Sequence, residues 1–182
     1  MSAVSLAEVM NQSGIEHEYR VETDLNSVTV DGTAYRISEK KPVHLLIKSP
    51  GERKITFRTD FDIELEVPCD RCLEPVKVRI DADESFDIQF DESGNQITGE
   101  NIDEYGFING YDLDIDLLVI EEVMIGFPMK VLCDEECRGL CPICGANLNK
   151  HECGCDRQVL DPRMSIIRDI FRQQGSPSDK DS

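Results

Sequence analysis

Ile55-Thr56-Phe57-Arg58-Thr59-Asp60-Phe61-Asp62-Ile63-Glu64-Leu65-Glu66-Val67 decides the fold of this chain. Ile55, Phe57, Thr59, Phe61, Ile63, Leu65 and Val67 fall on alternate positions, and polar or charged residues stand between them. A period of two held this long is the signature of a strand with one buried face. Downstream of Cys69–Pro75 the pattern resumes at Val76, Val78 and Ile80, and Phe86, Ile88 and Phe90 follow. The central hairpin therefore turns at Cys69-Asp70-Arg71-Cys72. Upstream, Val28 to Ile37 reads as a second hairpin around the tight turn Asp31-Gly32. Val43 to Ile47 reads as a short strand ended by Ser49-Pro50-Gly51.

Helices are expected at the margins of this sheet. Val4 to Met10 reads as a short one. Asp114 or Asp116 caps a longer one through Leu117, Leu118, Ile120, Val123, Met124 and Phe127, which Pro128 helps to end. Asp161-Pro162 reads as a cap followed by proline at the first helical position of a last helix, with Met164, Ile166, Ile167, Ile170 and Phe171 on its apolar side. The fold class is α+β: a β-rich antiparallel sheet or partly open barrel, a packed central helix, a cysteine-rich zinc-knuckle segment and a C-terminal helix. The expected organisation is a β-rich domain over 1–130 with an acidic loop at 81–116, a metal-binding segment over 131–160, and a helix with a polar tail over 161–182.

The chain has 182 residues and 20.6 kDa, room for one ordinary domain. Nineteen Lys and Arg face 37 Asp and Glu, for a formal charge of −18. A protein that clamps phosphates without regard to sequence needs an extended basic face, so that class is excluded. The charge is concentrated. Asp81 to Glu122 holds fourteen acids and no Lys or Arg, which accounts for −14 of the −18. Such a run is either a solvated loop or a docking surface for something basic. The N-terminus lacks the features of a signal peptide, and no apolar run reaches the ~18–20 residues that span a bilayer. The expected location is the cytoplasm, with no membrane partner.

Eight cysteines in a reducing compartment point to metal binding or redox chemistry rather than disulfides. Their spacing is Cys69-x2-Cys72, then Cys133-x3-Cys137, Cys141-x2-Cys144 and Cys153-x-Cys155. Cys141-Pro142-Ile143-Cys144-Gly145 has the form of a zinc knuckle. Two thiolates three apart grip one ion, and the glycine lets the chain turn back so that backbone N–H groups reach the sulfurs. Two four-cysteine sites are the preferred reading: Cys141, Cys144, Cys153 and Cys155 as a local site, and Cys69, Cys72, Cys133 and Cys137 as the other. Pairing Cys69/Cys72 with Cys141/Cys144 is the alternative, and a single site with free thiols is a third. Zinc is the default metal for one or two such sites, and iron–sulfur clusters use the same residues. His151 lies inside the cluster and reads as a loop residue, while His17 and His44 stand alone.

Four thiolates leave no open position for water, so closed sites of this kind are structural. No phosphate loop, nucleophile elbow or His-Glu-x-x-His helix accompanies them, and the chain is read as a non-enzyme without a small-molecule substrate.

The chain resembles the YceD-like family, described as large ribosomal RNA subunit accumulation proteins. The resemblance is carried by Pro68-Cys69-Asp70-Arg71-Cys72-Leu73-Glu74-Pro75-Val76, the Asp116–Glu122 helix ending at Pro128, Cys137-Arg138-Gly139-Leu140-Cys141-Pro142-Ile143-Cys144-Gly145-Ala146-Asn147-Leu148-Asn149, and Asp161-Pro162-Arg163. It implies a non-enzymatic role in accumulation or processing of large-subunit (23S) ribosomal RNA. The partner is then the RNA precursor, through basic points such as Arg71, Lys77, Arg79, Arg138, Lys150, Arg157 and Arg163, or a basic ribosomal protein, through the acidic stretch. Arg71, Arg138 and Arg163 are the leading partner-binding residues. The competing reading is a zinc-dependent redox-sensing or chaperone-like protein, since released zinc exposes reactive thiols.

Overall fold

The computed structural model describes residues 2–97 and 105–155. The chain divides into two compact units, residues 1–135 and 136–182. The expected last helix, with Arg157 and Arg163, lies outside the described residues.

The first unit runs β1 (Ala3–Ser5), α1 (Ala7–Met10), β2 (Glu16–Val21), β3 (Ser27–Val30), β4 (Thr33–Lys40), β5 (Val43–Gly51), β6 (Lys54–Pro68), β7 (Pro75–Gln89), β8 (Ile108–Asn109), β9 (Asp112–Asp114) and α2 (Ile115–Gly126). The alternating stretch is the body of β6. It pairs with β7 in unbroken antiparallel register from Lys54↔Gln89 to Pro68↔Pro75. One edge of β6 is filled by β7. The other is shared end to end by β5, opposite Lys54 to Asp60, and β4, opposite Ile63 to Glu66. The strand order is β2-β5-β6-β4-β3 with β7 beside β6, so the sheet is open and the barrel alternative is not adopted. β1, β9 and β8 form a separate small sheet.

Three further departures have local causes. The acidic stretch is strand at its start, because residues 81–89 complete β7; Asp81, Asp83 and Asp87 alternate outward with Ala82, Phe86 and Ile88 inward. The expected N-terminal helix is shortened by β1, which pairs with β9. β2 alternates only weakly in polarity and is held by six pairings to β5.

The buried face of β6 and β7 carries the core. Phe57 stacks on Phe86 at 4.8 Å, and Phe107 meets both edge-on. α2 buries Ile115, Leu118, Val119, Glu122 and Val123, positions spaced three and four apart along one helical stripe. Asp114 caps it, its carboxylate accepting the Leu117 N–H at 3.1 Å. Asp116 instead accepts from the Asp24 N–H at 3.1 Å. Phe127, just past the helix, stacks on Tyr35 at 5.1 Å.

On the polar face, the register sets Asp60 opposite Asp83 and Asp62 opposite Asp81. Like charges so placed repel, and diagonal cations relieve them. Arg58 grips Asp83 through two hydrogen bonds of 2.6 and 2.5 Å. Asp62 is bound by Lys41 at 2.8 Å and by Arg79. Lys77 binds Glu64 at 2.7 Å, and Arg36 approaches Glu66 at 3.8 Å. Each exposed pair is worth only ~0–1 kcal/mol, and together they engage Arg36, Lys41, Arg58, Lys77 and Arg79.

Candidate metal centres

The β6–β7 turn and the Cys141 turn have the same backbone. In the first, the Cys69 N–H donates to the Glu74 carbonyl at 2.8 Å and the Leu73 N–H to the Cys69 carbonyl at 2.9 Å. In the second, the Cys141 N–H donates to the Ala146 carbonyl at 2.8 Å and the Gly145 N–H to the Cys141 carbonyl at 2.9 Å. The residue after the second cysteine is left-handed in both, Leu73 at φ 61° and Gly145 at φ 73°. Glycine adopts that conformation freely and leucine under strain.

This backbone aims N–H groups at sulfur. Burial pushes the Cys69 thiol up, but hydrogen bonds from the Arg71, Cys133 and Cys72 backbone and from the Cys72 side chain outweigh it and hold Cys69 at about 6. The Cys144 and Ile143 backbone groups likewise bring Cys141 to about 6 against its burial. Both turns therefore favour thiolate, the form that binds metal.

The sulfurs form two groups, Cys69, Cys72, Cys133 and Cys137, and Cys141, Cys144, Cys153 and Cys155; within each, all sulfurs lie within 4.8 Å of one another. None is in a disulfide. Zn–S bonds of about 2.3 Å place tetrahedral sulfurs roughly 3.8 Å apart, so both donor sets suit one ion each. Without a cation, four thiolates at such range repel by about 4 kcal/mol per pair at an effective dielectric of ~20. The conflict is visible at Cys155, whose thiol is pushed up to about 12 by hydrogen bonds with Cys144 and Cys153, by burial and by Cys141. Each group could hold a metal ion. They differ in cover: in the first Cys69, Cys72 and Cys137 are buried and Cys133 exposed, whereas in the second only Cys141 is buried, Cys144 being exposed and Cys153 and Cys155 half-buried.

Neighbouring residues hold the ligands in place. Asp70 N–H donates to the Val131 carbonyl at 2.9 Å, and Asp70 carboxylate accepts the Val131 N–H at 2.8 Å, fixing the approach to Cys133. In the second unit, Asn149 donates to the Cys137 sulfur at 3.2 Å while its carbonyl oxygen accepts the Arg138 N–H at 2.7 Å. Asn147 in turn accepts the Asn149 N–H at 3.0 Å, and buried Leu148 donates its N–H to Gly139 at 2.9 Å. The Asn-Leu-Asn string is thus a sulfur-orienting loop. Reading cysteine spacing alone misses Asn149 and Asp70, although asparagine and aspartate beside a cysteine turn are the residues that bond backbone N–H groups.

The other singled-out residues are engaged or apart. Arg71 reaches the Glu135 carbonyl at 3.4 Å, Arg138 pairs with Glu152 at 2.9 Å, and Lys77 and Arg79 serve the sheet face. His151 is exposed and belongs to neither sulfur group. Among the described residues no helix is long and apolar enough to cross a membrane.

Residues 57–171, more than half of the chain and all eight cysteines, match the family described as "Large ribosomal RNA subunit accumulation protein YceD". An uncharacterized protein of Mycobacterium tuberculosis is 33% identical over 103 residues, covering 57% of this chain and 49% of that protein. A Mycobacterium bovis counterpart matches to the same degree. The Arabidopsis thaliana protein named "Large ribosomal RNA subunit accumulation protein YCED homolog 1, chloroplastic" is 38% identical over 62 residues, 34% of this chain and 19% of its own length. The chain spans about half the length of its mycobacterial relatives. No solved structure matches it significantly.

Proposed function

The chain belongs to the YceD family, and from that premise we propose that it is a non-enzymatic ribosome-biogenesis factor supporting accumulation or processing of large-subunit ribosomal RNA. The observation that carries this reading is the family match, which covers both cysteine groups together with the β6–β7 hairpin. Zinc is proposed as the metal at Cys69, Cys72, Cys133 and Cys137 and at Cys141, Cys144, Cys153 and Cys155, since four thiolates in a closed shell suit it best. Such an ion would stabilise the fold and offer no open position for substrate. The cytoplasm is the proposed location, and either precursor RNA or a basic ribosomal protein the direct partner. Arg71 and Arg138 are the proposed RNA contacts among the described residues.

Deletion of the gene, followed by sedimentation of ribosomal particles and quantification of large- against small-subunit RNA, tests the function. A selective fall in large-subunit RNA, restored by the intact chain, is expected. Unchanged large-subunit RNA overturns the reading. Metal analysis of protein purified without chelator is expected to give two zinc ions per chain, and iron would replace zinc as the assignment.

A further inference from the structure

On the polar sheet face Arg36, Lys41, Arg58, Lys77 and Arg79 are engaged by acids of the sheet, so these five offer no row of free basic groups to a phosphate backbone. The opposite imbalance stands at the C-terminal end of α2. A groove of about 300 Å³ is lined there by Val30, Tyr35, Met124, Phe127, Met129 and other apolar side chains. Among the described residues its only charged lining groups are Asp31 and Asp70. Asp31 stands at the tip of the β3–β4 turn, and Asp70 keeps one carboxylate oxygen on the Val131 N–H.

The apolar lining continues onto open surface. Met124 is 51% exposed, Ile125 78% and Met129 fully. Asp31 and Asp70 have no ion pair among the described residues, and exposed Lys130 stands beside Met129 at the margin of the groove. Large exposed apolar side chains in one patch mark an interaction surface, and unbranched methionines adapt to the shape of what enters.

We propose that this groove docks a cationic, amphipathic segment of a basic protein. An apolar side chain of the partner enters between Met124, Phe127 and Met129, while its Lys or Arg groups meet Asp31 and Asp70. Nucleic acid fits the same place poorly, because its phosphates would face the Asp31 and Asp70 carboxylates and its bases a mostly apolar lining. The inference deepens the large-subunit reading by choosing a basic protein over RNA as the direct partner, and it rests on that reading for its setting only.

The test is a titration of the zinc-loaded full chain with labelled probes, followed by fluorescence anisotropy over a salt series. The probes are a synthetic peptide with Lys and Leu at helical spacing, a Lys/Ser peptide of equal charge, a Glu/Leu peptide and a single-stranded RNA. The Lys/Leu peptide is expected to bind, and the others at least about tenfold more weakly. Met124→Ser with Met129→Ser is expected to weaken binding about tenfold, a ~1.4 kcal/mol loss. Asp31→Asn is expected to weaken it severalfold and flatten the salt dependence. Asp83→Asn, on the opposite face, is expected to change binding by less than about twofold. These are surface positions, and unchanged thermal unfolding of each variant verifies the fold. Equal binding of the Lys/Ser peptide, preferential binding of RNA, or indifference to the methionine pair would each overturn the proposal. Because the assay uses pure components, normal ribosomal RNA in deletion cells would refute the cellular role while leaving this result standing.

Discussion

Replacing Gly145 by alanine isolates the backbone term of a cysteine turn. Gly145 holds φ 73°, and a Cβ built there meets nothing within 4 Å, so steric collision contributes nothing to the cost. What remains is the left-handed conformation, about 1–2 kcal/mol for an L-residue. Alanine also restricts the unfolded chain, which offsets about 0.4–1 kcal/mol. The net loss is about 1 kcal/mol, and it falls on the ligand turn, so metal affinity at Cys141, Cys144, Cys153 and Cys155 should weaken about fivefold. The β6–β7 turn supplies the reverse experiment. Leu73 holds φ 61° in the same hydrogen-bonded turn and is 64% exposed, so Leu73→Gly removes the strain while giving up little burial. It should tighten metal binding at the first group by up to about fivefold. Competition against a chromophoric chelator resolves the two sites, and each variant should move one of them. Tighter binding by Gly145→Ala, or no change in either variant, would refute the claim that the left-handed residue controls the turn.

Asn149→Ala removes the hydrogen bond to the Cys137 sulfur and the cap on the Arg138 N–H, and a loss of about tenfold or more in metal affinity is expected at the first group. Asn149→Asp, which restores the acceptor but not the donor, should recover only part of it. Asp114→Ala removes the α2 cap, and denaturant unfolding should show a loss of about 1 kcal/mol, whereas Asp114→Ser should lose much less. Glu122 lies in the buried stripe of α2, and burial, then Glu84 and Glu121, raise its carboxyl above 4.5. A raised carboxyl destabilises the fold once it ionises, so this penalty is absent below pH 4.5 and grows as pH climbs through the raised value. Glu122→Gln should therefore raise the unfolding temperature at pH 7.5 and gain progressively less as the pH falls towards 5. A constant gain across that range would point to packing instead of charge.

Much of this protein is written locally. The alternation from Ile55 to Val67 is readable because a side-chain period of two has one structural meaning at that length. Asp31-Gly32 fixes a two-residue hairpin because both positions take positive φ, at 49° and 79°. The cap of α2 is narrower in the structure than in the sequence: Asp114 and Asp116 are equivalent as residue types, and only the entry of the chain from β9 puts Asp114 at the cap. β2 is hard to read because its inward positions, His17, Tyr19 and Val21, are only half-buried and His17 is not apolar. The start of the acidic stretch reads as loop from charge alone, yet Arg58 on the neighbouring strand provides the counter-ion that lets Asp83 stand in β7.

By itself the sequence determined a β-rich chain with a long central hairpin, four cysteine pairs and a charge confined to one segment, because period, spacing and composition are local properties. Tertiary structure decided what local pattern cannot carry. It left the sheet open by laying β4 and β5 end to end along one edge of β6, it gave two unrelated cysteine turns one hydrogen-bonded backbone, and it brought the β3–β4 turn against the end of α2. The physical reason is the same in each case. Which strand fills an edge, which N–H meets a sulfur and which carboxylates rim a groove depend on groups tens of residues apart, and only packing brings those together.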